Sequence, residues 1–215
     1  MTVLILSNTA NIQYYNMLET CINSIESSDI IVVETNSKLE NKDIPLSKKC
    51  KFIFPNQEFN YNKFLNIGLK EINDEKIIIS NNDVIFSPGC ISEINSKLSL
   101  YDSVSPYDFN NPKHSANIFN KPCIEGYEVG IHVTGCCLGL TRKVLNTINV
   151  FDESFKFWYQ DNDYANILKK NNFKNVLLRD AKITHLGFQS HKLLKENLYN
   201  MTHGLEQTYK EKWFE

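Results

Sequence analysis

The chain has 215 residues, 42% of them hydrophobic, and a formal net charge of -2 at pH 7. This length favours one globular domain with a substantial core, and the charge gives no electrostatic signature of a bulk nucleic-acid partner. The amino-terminal apolar run is too short for a signal peptide or a membrane span, and no later run is long enough. The six cysteines form no CxxC pair, so we interpret them as free thiols and expect a cytoplasmic protein.

Strands and helices alternate along the first part of the chain. Short apolar runs at 2–6, 30–33 and 51–54 predict strands, and the helical spacing of apolar residues over 15–27 predicts a helix. Strand, helix and strand with short connections is typical of a βαβ unit, whose strands are parallel. We therefore predict an α/β fold with a mostly parallel central sheet flanked by helices.

The segment 59–73 predicts an amphipathic helix, because its apolar residues recur at i, i+3, i+4 and i+7. Asn60 lies at the N-cap position, and Lys63 and Asn66 project from the opposite face within the first two turns. A helix amino terminus with an added lysine suits a phosphate group. The alternative is a capped surface helix whose Lys63 is solvated.

The stretch 76–89 contains a candidate ligand site. Its apolar run ends in Ser80, Asn81, Asn82 and Asp83, which predicts a strand buried on both faces and then a polar turn. A carboxylate just past the carboxyl end of such a strand lies where open α/β sheets bind ligands, so Asp83 is a candidate metal ligand. The alternative is a turn in which Asn and Asp bond their own backbone.

The middle of the chain is less regular. After a predicted helix over 91–100, residues 101–130 contain three prolines and many asparagines without clear periodicity, which predicts a long loop over the face of the sheet. This loop is either a candidate for choosing an acceptor or an excursion with no role. A strand and turn are predicted over 129–140, and a short helix over 142–148.

A dense aromatic segment precedes two acids. Four of the five residues at 155–159 are aromatic, and Asp161 and Asp163 follow at the predicted start of a helix. Exposed aromatic residues at this density usually bind something or are buried, which favours a functional role for Asp161. The alternative is that both acids cap the helix and complement its dipole.

A histidine follows the last two predicted strands, at 176–178 and 182–184. This residue, His185, comes two positions before Gly187, and a histidine at a strand end can there approach a metal closely. The alternative is a structural role, which is more frequent for a lone histidine. From residue 192 onward we predict a carboxy-terminal helix.

Taken together, these segments resemble the GT-A glycosyltransferases, most closely the inverting family-two type. FNYNKFLNIG at 59–68 is similar to the FNxxKxLNxG segment of the β-1,4-galactosyltransferases and to the NxGxxxNxG segment of rhamnosyltransferases. SNND at 80–83 matches the DXD region in its NND form, and 150–164 resembles the GxFDExFFxYxEDxDL block. HLGFQS at 185–190 resembles the late HxxGxS motif.

Two further matches and two departures complete the resemblance. VETNS at 33–37 resembles the second-strand VDNxS, and TGCC at 134–137 stands at the small-residue strand on the acceptor side. Asn81 replaces the first acid of DXD, and Gln160 replaces the Glu that precedes Asp161. These departures put metal affinity in question and leave one acid at the usual base position.

The resemblance implies an inverting, metal-dependent transfer of a sugar from a UDP- or dTDP-sugar to an acceptor hydroxyl. Asp161 would be the general base, and Asp83 and His185 would hold Mn²⁺ or Mg²⁺. The implied contacts to the donor are Ser7, Asn8, Glu34, Asn36, Asn60, Lys63, Asn66, Asn81 and Asn82. The implied contacts to the acceptor or sugar are Gly135, Trp158, Tyr159 and Asp163.

The resemblance divides the single domain into a nucleotide-sugar-binding half, 1–100, and an acceptor-binding and catalytic half, 101–215. The acceptor is left open between a glycan, a protein, a small molecule and a modified DNA base, and a homodimer is left open as well. One rival is an inactive nucleotide-sugar- or glycan-binding module, which Asn81 and Gln160 favour. Another is a nucleotidyltransferase, but the first strand lacks the glycine-rich loop that such an enzyme needs.

Overall fold

One central sheet organises the chain. The structure is a computed structural model that describes residues 1–26, 28–39, 48–118, 120–187 and 203–215. The strands within these residues are β1 (Thr2–Ser7), β2 (Asp29–Glu34), β3 (Lys51–Ile53), β4 (Lys76–Asn81), β5 (Val84–Phe86), β6 (Ser103–Asp108), β7 (Cys123–Glu125), β8 (Cys137–Thr141) and β9 (Asn175–His185). Their order in the sheet is β3-β2-β1-β4-β8-β6-β9-β5, and β7 pairs with β9.

The half of the sheet formed by β3, β2, β1 and β4 is parallel. β1 lies in its middle, with Leu4 opposite Ile31 on one side and Ile79 on the other. All six residues of β1 are buried, as expected for a strand covered on both faces. The parallel arrangement predicted from the βαβ order is therefore confirmed for this half.

The other half of the sheet is mixed. β8 is antiparallel to β4 and β6, while β9 is parallel to β6 and antiparallel to β5 and β7. The α/β class with a flanked central sheet is confirmed, but "mostly parallel" is corrected to mixed. The reason is that β8 begins at Cys137, opposite Ser80, at the same edge where β4 ends. An antiparallel neighbour entered at that edge needs no crossover helix.

Helices cover both faces of the sheet. Those of the described residues are α1 (Ile12–Ser24), α2 (Tyr61–Leu69), α3 (Cys90–Lys97), α4 (Pro112–Ile118), α5 (Arg142–Ile148), α6 (Gln160–Lys170) and α7 (Glu206–Trp213). Val3 and Ile5 of β1 belong to the same core cluster as Leu18 of α1. Leu4, which alternates with them, belongs to a second cluster with Phe64 of α2. Alternate residues of β1 therefore pack into two hydrophobic cores, one on each face of the sheet.

The first two helices agree with the sequence, with shifted ends. α1 begins three residues before its predicted start, because Oδ1 of Asn11 caps it by accepting from the backbone N–H groups of Gln13 and Tyr14. For α2 the predicted N-cap is confirmed, since Oδ1 of Asn60 accepts from the backbone N–H of Lys63 at 3.0 Å.

The long loop predicted over 101–130 is wrong, because this segment contains β6, α4 and β7. β6 pairs with both β8 and β9, and a register shift beside Pro106 accommodates the proline. The two strands predicted over 176–184 are the single strand β9, which carries the matching irregularity between Leu178 and Lys182. The secondary structure of this region depends on pairing with strands that are distant in sequence. Such pairing leaves little signal in the local sequence of short segments.

Other predictions concern the later chain. The strand predicted over 129–140 begins only at Cys137, and the TGCC segment is mostly a turn that leads into it. Part of the predicted carboxy-terminal helix, 192–202, lies outside the described residues, and α7 follows it. All six cysteines are free thiols, as predicted. Within the described ranges, no helix is long and apolar enough to cross a membrane.

Candidate functional site

A cavity of about 930 Å³ opens at the edge of the sheet where β1 and β4 end. Its lining comes from segments that are far apart in sequence, chiefly 6–8, 81–83, 108, 110–112, 133–136, 157–162 and 185–187. The carboxyl edge of parallel strands is the usual ligand site of open α/β sheets. The fold thus brings polar residues from both halves of the chain to one pocket.

Asp83 and His185 meet inside this pocket. Asp83 follows β4, His185 ends β9, and the pairing of Val84 with His185 in the sheet holds the two side chains side by side. Nε2 of His185 lies 3.3 Å from Oδ1 of Asp83, whose side chain is only 5% exposed. The two residues that the resemblance assigns to one cation therefore lie side by side.

His185 is fixed on several sides. Its backbone N–H donates to Oδ1 of Asp108 at 3.1 Å, and its carbonyl accepts from Nδ2 of Asn110 at 2.8 Å. Burial lowers the pKa of the imidazole, but interactions with the Asp83 carboxylate and the Cys136 thiol outweigh burial and raise the pKa to about 11. With these two neighbours the imidazole is protonated at neutral pH.

The Asp83–His185 pair is the part of the pocket that suits a divalent cation. Oδ1 of Asp83 is buried and accepts no well-directed hydrogen bond from the described residues, and a nearby positive charge stabilises such an atom. No cluster of three or more His, Cys, Asp or Glu side chains that could hold a metal occurs among the described residues. A cation here would replace the imidazole proton and complete its coordination with water and ligand oxygens.

Asp161 lies in the first turn of α6 and lines the same pocket. Its Oδ1 accepts from the backbone N–H of Asn162 at 2.9 Å. Its Oδ2 faces Gly135, where an added β carbon would lie only 3.2 Å from that oxygen. Burial raises the pKa of the Asp161 carboxyl, and a raised pKa is typical of a carboxylate that accepts a proton in a reaction.

Asp163 does not line the pocket, although it lies in the same helical turn. Its side chain is 2% exposed, and Oδ1 accepts from Nε1 of Trp213 and lies 2.8 Å from Nζ of Lys212. Burial raises the pKa of the carboxyl, and these two partners oppose the rise. Asp163 thus joins α6 to α7, while Asp161 faces the cavity.

The aromatic segment before α6 forms one wall of the pocket. Phe157, Trp158 and Tyr159 all line it. Tyr159 has a left-handed backbone with φ of 66°, and its ring stacks on Tyr209 of α7 at a centroid distance of 5.1 Å. The packing of α7 therefore supports an unfavourable backbone conformation at the point where the pocket wall enters α6.

The ends of β1 and β2 form the opposite side. Ser7 and Asn8 line the pocket, and Oγ of Ser7 accepts from Nδ2 of Asn82 at 3.3 Å. Glu34 is 1% exposed and does not line the pocket, but its Oε1 accepts from the backbone N–H groups of Thr9 and Asn36. Burial raises the pKa of the Glu34 carboxyl. Glu34 and Asn36 thus brace the loop that carries Ser7 and Asn8.

Solved structures share this architecture, whereas no protein-family model and no curated protein matches the chain. A mannosyltransferase, PcManGT from Pyrobaculum calidifontis, in complex with GDP-Man and Mn²⁺, aligns with a TM-score of 0.62 and 12% identity over 87% of this chain and 57% of its own. S. aureus TarS aligns with a TM-score of 0.61 and 14% identity, over 86% of this chain and 36% of its own. S. aureus TarS 1–349 in complex with UDP-GlcNAc aligns with a TM-score of 0.61 and 15% identity, over 87% of this chain and 59% of its own.

The chain has the fold of the GT-A glycosyltransferases. The resemblance proposed from the sequence motifs is confirmed at this level. The chain spans less than two thirds of the length of each of these three structures.

Within this GT-A fold, three predicted donor contacts on α2 are not brought to the pocket: Asn60, Lys63 and Asn66 are absent from its described lining. Nδ2 of Asn60 donates to the carbonyl of Glu153 at 2.7 Å. Nδ2 of Asn66 donates to the carbonyl of Phe151, and its Oδ1 accepts from the backbone N–H of the same residue. The two asparagines therefore attach α2 to the segment that precedes the aromatic wall.

Several pocket residues had no role in the sequence prediction, among them Tyr61, Asp108 and Cys136. Tyr61 was counted only among the apolar residues of α2, and Asp108 lay in the segment predicted as a loop. A signal for Asp108 did exist, because an acid and two asparagines cluster in YDFNN at 107–111, as they do in SNND at 80–83. The prolines nearby masked that signal.

Proposed function

We propose that this chain is a glycosyltransferase that moves a sugar from a nucleotide-sugar donor to an acceptor hydroxyl, with inversion and with a divalent cation. One observation carries the proposal: Asp83, His185 and Asp161 line a single pocket at the carboxyl edge of a GT-A sheet. Neighbours of the same fold were solved with GDP-Man and Mn²⁺ and with UDP-GlcNAc, which supports a nucleotide-sugar donor.

The leaving nucleoside diphosphate gains negative charge as the anomeric bond breaks. A bound Mn²⁺ or Mg²⁺ would supply the positive charge that offsets it. Asp83 and His185 are the residues proposed to hold that cation, and the buried Oδ1 of Asp83, whose one charged neighbour among the described residues is the His185 imidazole at 3.3 Å, supports this choice. His185 is also the only basic side chain among the described residues that line the pocket, because that lining contains no Lys and no Arg.

The acceptor hydroxyl must lose its proton as it attacks the anomeric carbon. Asp161 is the proposed general base, since its carboxylate lines the pocket and its raised pKa increases its affinity for a proton. Attack from the face opposite the departing diphosphate inverts the anomeric centre in one step. Trp158 and Tyr159 are proposed to pack on the C–H face of a sugar.

The finer features remain proposals on the same basis. Ser7, Asn8, Asn81 and Asn82 are proposed to contact the donor, and residues 101–215 are proposed to supply most of the acceptor site. Similarity of 59–68 to rhamnosyltransferases and β-1,4-galactosyltransferases supports a UDP- or dTDP-sugar, whereas one structural neighbour adds GDP-mannose to the donors worth testing. A cytoplasmic location is an expectation from the free cysteines.

The proposal is tested by donor cleavage and transfer across UDP-, GDP- and dTDP-sugars with Mn²⁺. Wild-type protein should release the nucleoside diphosphate from one of them. Asp161→Asn should lower turnover by about 10²- to 10⁴-fold, the usual contribution of a general base, and should keep nucleotide affinity. Asp180→Asn is the matched control, because that carboxylate is 60% exposed and pairs with Arg179 outside the pocket. Full turnover by Asp161→Asn would remove it as the base.

A second candidate is an inactive nucleotide-sugar-binding module. Two features favour it: Asn81 lacks the charge of an acid, and Gln160 replaces the Glu that precedes Asp161 in the family block. Calorimetry separates the two candidates. Nucleotide binding without donor cleavage, in every donor series and with Mn²⁺ present, would favour the module over the enzyme.

A further inference from the structure

A tyrosine and an asparagine form a polar contact in the pocket that the proposed chemistry does not use. Tyr61 is the first residue of α2, is 8% exposed and lines the cavity. Asn81 is the last residue of β4 and lines the cavity as well. The hydroxyl of Tyr61 donates a hydrogen bond to Oδ1 of Asn81 at 3.3 Å.

Both partners are fixed by their backbones. The N–H of Tyr61 donates to the carbonyl of Lys156 at 2.7 Å, and the N–H of Asn81 donates to the carbonyl of Cys136 at 2.9 Å. Burial raises the pKa of the Tyr61 hydroxyl well above its usual range, and the charges of Cys136 and Asp161 raise it further. The phenol therefore keeps its proton and remains a donor to the amide oxygen.

This contact determines which end of the amide is available to a ligand. Because Oδ1 of Asn81 accepts from Tyr61, the Nδ2 amide group is left to donate, and it donates to none of the described residues. Three other asparagines of the lining differ. The Nδ2 groups of Asn82, Asn110 and Asn111 donate to Ser7 Oγ, to the His185 carbonyl and to the Gly130 carbonyl, respectively.

An amide donor has a clear use at this position. Asn81 lies two residues before Asp83, the proposed cation ligand, so a diphosphate bound to that cation would lie close to it. No Lys or Arg is among the described residues of the lining, so neutral N–H groups must supply part of the binding of phosphate oxygens. A carboxylate at residue 81 would repel the same oxygens.

We propose that Tyr61 is a positioning residue, which orients the Asn81 side chain so that its amide N–H donates to a phosphate oxygen of the donor nucleotide. This inference rests on the proposed function. An acid at this position would bind the cation. Asn81 instead binds the phosphate directly, and Asp83 and His185 are left to hold the cation.

The test compares nucleoside diphosphates with the corresponding nucleosides. UDP, GDP and dTDP, and uridine, guanosine and thymidine, are titrated by calorimetry with EDTA and again with Mn²⁺, and the pair that wild type binds is carried forward. The variants are Tyr61→Phe, Asn81→Asp and the double variant. Tyr61→Phe keeps the buried ring, and melting temperatures verify that each variant folds.

Tyr61→Phe is expected to weaken binding of the diphosphate about 3- to 10-fold, as the loss of one hydrogen bond would, and to leave nucleoside binding unchanged. Asn81→Asp should weaken binding of the diphosphate by about 10-fold or more. In the Asn81→Asp background, Tyr61→Phe should cause no further loss, because it acts through the amide. A purely structural role for Tyr61 would instead weaken nucleoside and diphosphate together.

The inference is overturned if either single variant binds the diphosphate as wild type does, or if the two effects add in the double variant. These results would leave the proposed function intact, because wild type would still bind the nucleotide. If wild type binds none of the three diphosphates under either condition, the proposed function fails, and this inference fails with it.

Discussion

An added β carbon at Gly135 would lie 3.2 Å from Oδ2 of Asp161 and 3.3 Å from its Cβ. Gly135 belongs to the turn before β8, and Asp161 to the first turn of α6, so the contact joins two distant parts of the chain. A contact this short is closer than most β carbons tolerate. The position of the Asp161 carboxylate in the pocket therefore depends on the missing side chain at residue 135.

We predict that Gly135→Ala lowers turnover by about 10- to 100-fold, because a displacement of the base by a fraction of an ångström to about 1 Å misaligns proton transfer. Nucleotide affinity should stay within about twofold, since Asp83 and the β1 end are untouched. Steady-state kinetics with calorimetry on the same preparation measures both. Unchanged turnover would show that Asp161 does not need this space.

Gly139→Ala is the matched control for that substitution. It adds the same methyl group four residues later in the chain, within β8. The added β carbon would lie 2.6 Å from Cγ2 of Ile94 in the core. Overpacking of this kind costs about 1–3 kcal/mol, or ~2–4 °C in melting temperature for each kcal/mol in a chain of this size. Gly139→Ala should therefore lower the melting temperature, and Gly135→Ala should mainly lower turnover.

The Asp161 carboxyl, whose pKa is raised by desolvation, should make the folded protein less stable at neutral pH than a neutral side chain at the same position would. Its pKa is raised in the folded state, so the folded chain binds the proton more tightly than the unfolded chain. Stability then falls as pH rises from the ordinary carboxyl pKa, ~3.9, through the raised value. Asp161→Asn avoids this loss.

The expected result is a melting temperature for Asp161→Asn above that of wild type at pH 7, with a difference that shrinks towards pH 4. Scanning calorimetry between pH 4 and pH 8, without metal or nucleotide, measures it. Asp180→Asn should show no such difference, because its carboxylate is exposed. An Asp161→Asn variant that is less stable at pH 7, or a pH-independent difference, contradicts the prediction.

Asp163 should matter for stability more than for chemistry. Its buried carboxylate accepts from Nε1 of Trp213 at 2.8 Å and pairs with Lys212. We predict that Asp163→Asn lowers the free energy of unfolding in urea by about 1.5–3 kcal/mol, the range for a hydrogen bond to a charged group. The Michaelis constants for donor and acceptor should change little. A large rise in the acceptor constant with unchanged stability would instead support the contact to the acceptor or sugar predicted from the sequence.

Mn²⁺ should raise the melting temperature of wild type through Asp83. A ligand that binds only the folded state at about 100 times its dissociation constant adds ~2.7 kcal/mol, which corresponds to several degrees here. Asp83→Asn should lose this shift, and Asp180→Asn should keep it. Electron paramagnetic resonance of free Mn²⁺ gives the affinity directly. Equal shifts in wild type and Asp83→Asn would place the cation elsewhere.

Local patterns predicted several of these elements well. The apolar run of β4 and the helical spacing of α2 both lie in the structure as expected, and the N-cap at Asn60 is present. Such features depend on neighbours within a few residues. The pairing of Asp83 with His185 was predicted by resemblance to a family, because no local pattern links residues so distant.

Other residues show where the sequence was insufficient. Nothing local distinguishes Asp161 from Asp163, since both acids lie in the first turn of one helix. Lys212 and Trp213 of α7 engage one of them, and Gly135 leaves room for the other. Likewise, β6 forms despite Pro106 because β8 and β9 lie on either side of it.

By itself, the sequence determined the βαβ half of the sheet, the polar strand end at Asn81 to Asp83, and the aromatic segment before two acids. These follow from periodicity and turn chemistry, which act over short distances along the chain. Only the tertiary structure decided the mixed second half of the sheet, the separate environments of Asp161 and Asp163, and the contact of Tyr61 with Asn81. Each of these depends on packing between segments that the chain brings together only when it folds.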